Sequence, residues 1–145
     1  MRVPTPTVDD ATVLAFDFGT RRIGVAVGNT IVRAAQPLST IDEERSVPRF
    51  AAIGALIDEW RPSRLVVGVP VHDDGREHEM TRRARRFARQ LAGRFRLDVV
   101  EVDERHTTQA ADEELRGSGR EGRARRDAVA AKLILQGYFD ALPPR

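Results

Sequence analysis

The sequence predicts an α/β protein built on a mixed five-stranded sheet with helices packed on both faces. Three observations predict it. Residues 13–28 contain two short apolar runs joined by a polar Gly-Thr-Arg-Arg segment, which reads as a β-hairpin. Residues 65–71, Leu-Val-Val-Gly-Val-Pro-Val, are an unbroken apolar run bounded by turn residues, the pattern of a strand buried on both faces. After three opening strands, helical and strand-like patterns alternate, which suits a sheet covered by helices.

Residues 1–12 read as a flexible lead-in, and the hairpin strands fall at 13–18 and 23–27. A third strand is expected at 31–38, with Pro37 marking an edge or an end. Residues 40–44 are a polar stretch. From 45 to 60, Val47, Phe50, Ala51, Ile53, Gly54, Ile57 and Trp60 recur at helical spacing, and Arg61-Pro62-Ser63 stops that helix. The strand at 65–71 is closed by Pro70 and the polar residues 72–75. Residues 77–95 form the clearest helix: Met80, Ala84, Phe87, Ala88, Leu91 and Phe95 make one apolar stripe, and Arg82, Arg83, Arg85, Arg86 and Arg89 lie off it. A further strand at 97–102 runs into Asp103-Glu104-Arg105. Thr107 or Thr108 caps a short helix to Leu115, residues 117–122 are a Gly-rich loop, and a last helix spans 124–139 before a tail. No repeat or linker divides the chain, so one domain is expected over 1–145.

Composition excludes several classes. The chain has 145 residues, of which 41% are hydrophobic and 32% charged, as in ordinary folded proteins. It has no Cys, so it carries neither a disulfide framework nor a thiolate nucleophile, which fits a cytoplasmic location. Residues 1–12 lack the apolar core of a signal peptide, and the run at 65–71 is far short of the roughly 20 residues that span a bilayer, so no membrane partner is expected. The formal net charge of +2 does not by itself imply a nucleic-acid partner. All but Lys132 of the 24 basic residues are arginines, however, and guanidinium forks suit bidentate phosphate contact. GC-rich coding explains the bias equally well, so position has to decide.

Three acids stand out by context: Asp17 inside the first strand, Glu104 just past the last, and Asp127 in the first turn of the final helix. An ionised Asp17 in a buried hairpin is costly unless a metal ion, Arg21 or Arg22 compensates it. Carboxylates converging at one end of a sheet repel each other, and a hard divalent cation such as Mg²⁺ or Mn²⁺ reverses that penalty. Two such ions activate a water and stabilise the leaving oxygen in phosphodiester cleavage. Each acid also has a plainer explanation. Asp17 fits a turn residue capping Gly19-Thr20, Glu104 a surface partner of Arg105, and Asp127 a helix-start residue complementing the dipole.

His72, His78 and His106 are too scattered for a zinc site and fit surface or hydrogen-bonding roles. No nucleophile elbow, P-loop or dinucleotide fingerprint is present. Two basic clusters are candidate phosphate-binding surfaces. One is the arginine face of residues 82–89, which equally fits a solvated face paired with local acids. The other comprises Arg116, Arg120, Arg123, Arg125 and Arg126, between a Gly-rich loop and Asp127.

Taken in order and spacing, these motifs resemble the YqgF/RuvX family of bacterial proteins. The resemblance runs from about Val13 to Phe139. Its parts are residues 14–26, Val66-Val-Gly-Val-Pro70, Asp74-Gly75, Asp103-Glu-Arg105 with Thr107-Thr108, and Asp127-Ala-Val-Ala-Ala131 with Ile134, Leu135 and Tyr138. His72 stands where the family usually has Asn, and His106-Thr107 where it usually has Leu-Ser. The resemblance implies a ribonuclease H-like fold and metal-dependent cleavage of nucleic acid. It matches Asp17, Glu104 and Asp127 to a catalytic set holding Mg²⁺ or Mn²⁺. It matches Arg21 or Arg22 and Arg105 to basic positions that contact phosphate; Arg123, Arg125 and Arg126, from the basic cluster before Asp127, are expected as further nucleic-acid contacts.

The expected function is a nuclease maturing the 5′ end of pre-16S rRNA in ribosome biogenesis, with precursor rRNA or a ribosomal particle as partner. The alternatives are a Holliday junction resolvase acting on branched DNA, and a non-catalytic nucleic-acid-binding ribosome-assembly factor. Asp-Phe-Gly-Thr also resembles the first phosphate motif of actin-like ATPases and sugar kinases, which need two such domains to close over a nucleotide. The residues leave the oligomeric state open.

Overall fold

In the computed structural model, which describes residues 11–71, 77–104 and 119–144 (of 119–121 and 123 the backbone only), five strands form one sheet in the order β3-β2-β1-β4-β5. They are β1 (Thr12–Phe18), β2 (Ile23–Asn29), β3 (Ala35–Ile41), β4 (Arg64–Val69) and β5 (Asp98–Asp103). β1–β2 and β2–β3 pair antiparallel, whereas β4 lies parallel to both β1 and β5, so the sheet is mixed as expected. The helices are α1 (Ser46–Trp60), α2 (Glu79–Phe95) and α3 (Gly119–Asp140).

Strand alternation sorts β1 onto two cores. Leu14 and Phe16 point to one face and pack with Phe50, Ile53, Phe87 and Leu91 of α1 and α2. Val13 and Ala15 point to the other and pack with Ala131, Ile134, Leu135 and Phe139 of α3. Asp17 follows Val13 and Ala15 in this alternation and therefore belongs to the α3 face. Along β2, the same face is a row of small residues, Gly24, Ala26 and Gly28, which lets α3 lie close to the sheet. A Cβ on Gly28 would come within 2.7 Å of the Phe139 ring.

The ends of α1 and α2 follow the sequence closely. Arg61 and Arg96 cap them in the left-handed conformation, each donating its backbone N–H to the carbonyl four residues back. His78 caps the start of α2: its Nδ1 accepts from the Met80 N–H at 3.2 Å, and Thr81 Oγ accepts from the His78 N–H at 3.0 Å. That is the hydrogen-bonding role expected of this His.

Two expected boundaries are corrected. The third strand starts at Ala35 rather than 31 and runs through Thr40 and Ile41. Asn29 Oδ1 accepts from the N–H groups of Ile31 and Val32, at 3.0 and 2.9 Å, and ties these apolar residues into a turn that closes at Arg33 with φ 56°. Pro37 does sit on the edge strand, beside an irregularity in the β2–β3 register. The last helix begins at Gly119, inside the segment expected to be a loop, so Asp127 lies well within it rather than in its first turn. Gly122 is buried and the Thr40 hydroxyl donates to the Ala124 carbonyl; these tertiary contacts outweigh the local Gly-Ser-Gly signal. The explanation of Asp127 as a helix-start residue is thereby removed. The expected helix to Leu115, the Asp74-Gly75 pair, His72, Arg105, His106, Arg116, Arg120 and the side chain of Arg123 lie outside the described residues.

Candidate functional site

Asp17, near the C-terminal end of β1, pairs in register with Gly24 on one side and Gly68 on the other. Neither neighbour has a side chain, and each absence admits a different group. A Cβ on Gly24 would fall 1.8 Å from the Asp127 carbonyl oxygen, so only glycine allows the α3 backbone to touch β2 there. A Cβ on Gly68 would fall 2.6 Å from Glu104 Oε2 and 2.3 Å from Ile134 Cδ1. The Glu104 N–H donates to the Val69 carbonyl at 3.2 Å, which continues the β5–β4 ladder one residue past the strand. From there the Glu104 side chain reaches over Gly68 to hydrogen-bond Asp17.

Two carboxyl groups in contact cannot both ionise cheaply. Burial pushes Glu104 up to about 9, and the charge of Asp17 and their hydrogen bond add to the rise. Burial also raises Asp17, to about 6; the Glu104 hydrogen bond opposes the rise, Asp127 adds to it, and Arg126 opposes it. Both directions describe a pair that keeps a proton between its two carboxyl groups.

Asp127 faces this pair from α3 but ends on a cation: Arg22 Nε lies 2.6 Å from its Oδ2, across 105 residues of sequence. The hydrogen bond to Asp127 and its charge raise the Arg22 pKa further. Arg22 therefore compensates Asp127, not Asp17, whose compensation comes from the shared proton. Arg126 is half-buried and acts on Asp17, while Arg21 and Arg125 are exposed.

The donor set suits a hard cation, because it is made of carboxylate oxygens and the fold opposes their ionisation in the absence of positive charge. Among the described residues no group of three or more His, Cys, Asp or Glu is assembled as a metal site. Asp17 and Glu104 are together; Asp127 is held beside them by Arg22.

Gly24 and Gly68, absent from the residues expected at the site, are what let Asp127 and Glu104 approach Asp17. Their signal was present, since an isolated glycine inside an apolar strand marks a close approach of backbone or ligand. The arginine face of residues 82–89 divides. Arg83 bonds Glu79 at 2.9 Å, Arg85 turns to Glu77 and Glu101, and Arg82, Arg86 and Arg89 are exposed. Among the described residues no helix is long and apolar enough to cross a membrane.

The family model described as "RuvX: Holliday junction resolvase" matches residues 11–141. A protein of Nitrosomonas europaea named "Putative pre-16S rRNA nuclease" is 53% identical over 137 residues, 92% of this chain and 93% of that protein. One of the same name from Dechloromonas aromatica is 53% identical over 133 residues, 90% of this chain and 91% of that protein. Among solved structures, T. thermophilus RuvC in complex with a Holliday junction substrate is similar in fold, with a TM-score of 0.53 at 19% identity over 90% of this chain and 94% of that one. The fold is ribonuclease H-like, as expected. The match takes in both strands that carry the carboxyl pair and the helix that brings Asp127, and on it and these relatives the chain belongs to the RuvX family.

Proposed function

We propose that this protein is a divalent-cation-dependent nuclease that hydrolyses a phosphodiester bond of precursor ribosomal RNA, maturing the 5′ end of 16S rRNA in the cytoplasm. The observation that carries the reading is the Asp17–Glu104 contact beside Asp127, a set of acids whose ionisation needs added positive charge. Relatives more than half identical, each named "Putative pre-16S rRNA nuclease", support the choice of substrate.

Asp17 and Glu104 would hold Mg²⁺ or Mn²⁺ in place of their shared proton, and Asp127 would complete the set. The cation, when bound, polarises a phosphoryl oxygen and makes a water nucleophilic at neutral pH. Arg22, on the rim of the same site, exchanges Asp127 for a phosphate oxygen of the strand; its guanidinium makes the same charge-assisted bond to either. Arg21, Arg125 and Arg126 are further contacts for the strand's phosphates, as are Arg105 and Arg123 by their place in the sequence.

A second reading, a resolvase of branched DNA, is favoured by the family's description and by the shared fold with RuvC. One experiment separates them: purified protein with Mn²⁺ or Mg²⁺ on precursor 16S rRNA and on a four-way DNA junction, with Asp17→Asn alongside. Cleavage of the rRNA is expected. Asp17→Asn should lose more than the roughly 10–100-fold that follows loss of an outer-shell partner of a metal, with binding retained. Full activity in that variant overturns the mechanism, and cleavage of the junction alone makes the protein a resolvase. Binding without cleavage under either cation makes it a non-catalytic assembly factor.

A further inference from the structure

On the opposite face of the sheet from Asp17, α1, α2 and the end of β1 line an open pocket of about 290 Å³. Its apolar side is a cluster of three phenylalanines. Phe18 and Phe87 lie 4.9 Å apart and Phe50 and Phe87 6.1 Å apart between ring centroids, each pair tilted by 33°. Phe87 and Phe50 are buried, and half-buried Phe18 belongs to the opening.

The rest of the lining is mainly cationic, with Arg49, Arg83 and Arg86 against one carboxylate, Glu44. Arg49 is only 6% exposed, and burial lowers its pKa. Its hydrogen bonds go to carbonyl oxygens: Glu43 at 2.7 Å, Thr20 at 2.9 Å and Gly19 at 3.1 Å. These bonds tie the β1–β2 turn to α1, with the Glu44 and Glu43 charges near the guanidinium and the Phe18 ring centroid 5.5 Å from it. Arg83 is half exposed, and its ion pair with Glu79 is of the solvent-exposed kind that breaks at little cost. Arg86 is exposed at the rim.

Flat aromatic carbon beside guanidinium forks is the chemistry that takes a base and its phosphate together. Glu44 adds an acceptor for a base amino group. The pocket lies at the lower end of the range for small-ligand sites, so it suits one nucleotide. Phe18 follows Asp17 directly, so pocket and acid pair lie on opposite sides of the same end of β1. We infer that this pocket seats a nucleotide of the substrate strand beside the one that is cut at the acid pair, its base against Phe18 and its phosphate on Arg83 and Arg86. The inference rests on the nucleic-acid reading above and gives part of the arginine face of α2 a function.

The test uses the full chain in EDTA and a fluorescent single-stranded RNA decamer containing 4-thiouridine. Affinity is measured against salt for wild type, Arg86→Ala, Arg83→Ala/Arg86→Ala and Arg89→Ala; the last loses the same charge from the same helix outside the pocket. Arg86→Ala should weaken binding about 5- to 10-fold and reduce the salt slope by about 0.7, the value for one single-strand phosphate contact. Arg89→Ala should change affinity less than about 2-fold, and photocrosslinks should map to peptides holding Phe18 or Phe87. Equal losses in Arg86→Ala and Arg89→Ala, or wild-type binding by the double variant, overturn the pocket. Adenosine monophosphate competing as tightly as the decamer overturns the strand assignment in favour of a free nucleotide. Loss of binding confined to the pocket variants, in a protein that cuts no RNA, upholds the pocket while the nuclease reading fails.

Discussion

Gly24 and Gly68 flank Asp17 in register, and a methyl group at the two positions meets different obstacles. At Gly24 the obstacle is backbone, the Asp127 carbonyl at 1.8 Å, so Gly24→Ala must displace α3 as a whole. Overpacking of this kind costs about 3 kcal/mol or more, and a urea melt should show a large drop in midpoint. At Gly68 the obstacles are side chains, Ile134 Cδ1 at 2.3 Å and Cγ1 at 2.9 Å and Glu104 Oε2 at 2.6 Å, of which the Glu104 carboxyl is the end that can turn aside. Gly68→Ala should therefore cost less than Gly24→Ala, about 1–2 kcal/mol, while moving the Glu104 carboxyl off Asp17. On the proposed function its cleavage rate should fall far more than its stability, and equal stability losses in the two variants would contradict this account. The acids themselves were legible, because an ionisable group inside or just past an apolar strand needs an explanation wherever it occurs. Their partners were not: whether Arg22 neutralises Asp17 or Asp127 depends on where α3 docks, across 105 residues of sequence.

At the scale of elements, α2 is tied to the end of β4 by one side chain. Thr81 is fully buried; its hydroxyl accepts from the His78 N–H at 3.0 Å and donates to the Pro70 carbonyl. Thr81→Val keeps the shape and leaves two backbone groups without their partner, a loss of about 2 kcal/mol. The urea midpoint should fall with the slope unchanged, and Thr81→Ser should recover most of the loss; if Ser is as damaging as Val, the methyl group and not the hydroxyl is what matters there. Helices whose apolar stripe and stop residues are local, such as α1 and α2, could be read from the sequence almost to the residue. β3 and the start of α3 could not. An Asx turn at Asn29 absorbed Ile31 and Val32, which look like strand residues, and tertiary packing at Gly122 and Ala124 kept residues that look like a loop in helix.

For the molecule as a whole, the carboxyl pair links stability to pH and to cations. In the unfolded chain both carboxyls titrate near pH 4; in the fold burial holds Asp17 at about 6 and Glu104 at about 9. The native state thus binds these protons more tightly, so their contribution to stability is fully present below pH 4. It declines as the pH rises and is lost once the pH passes the folded values. Other acids shift stability with pH as well, so the effect is isolated by comparison with Glu104→Gln, which keeps a donor to Asp17 and cannot ionise. The metal-free wild type should match Glu104→Gln at pH 5 and fall below it by at least about 1 kcal/mol at pH 9, roughly 3 °C in Tm for a protein of this size. Magnesium added at pH 8 should raise the wild-type Tm by binding the native state alone, and should do so less in Glu104→Gln and Asp17→Asn. A Tm difference between wild type and Glu104→Gln that is constant with pH would mean that Glu104 ionises freely in the fold. The need for a cation beside Asp17 would then disappear, and with it the physical ground for metal-dependent cleavage at this site.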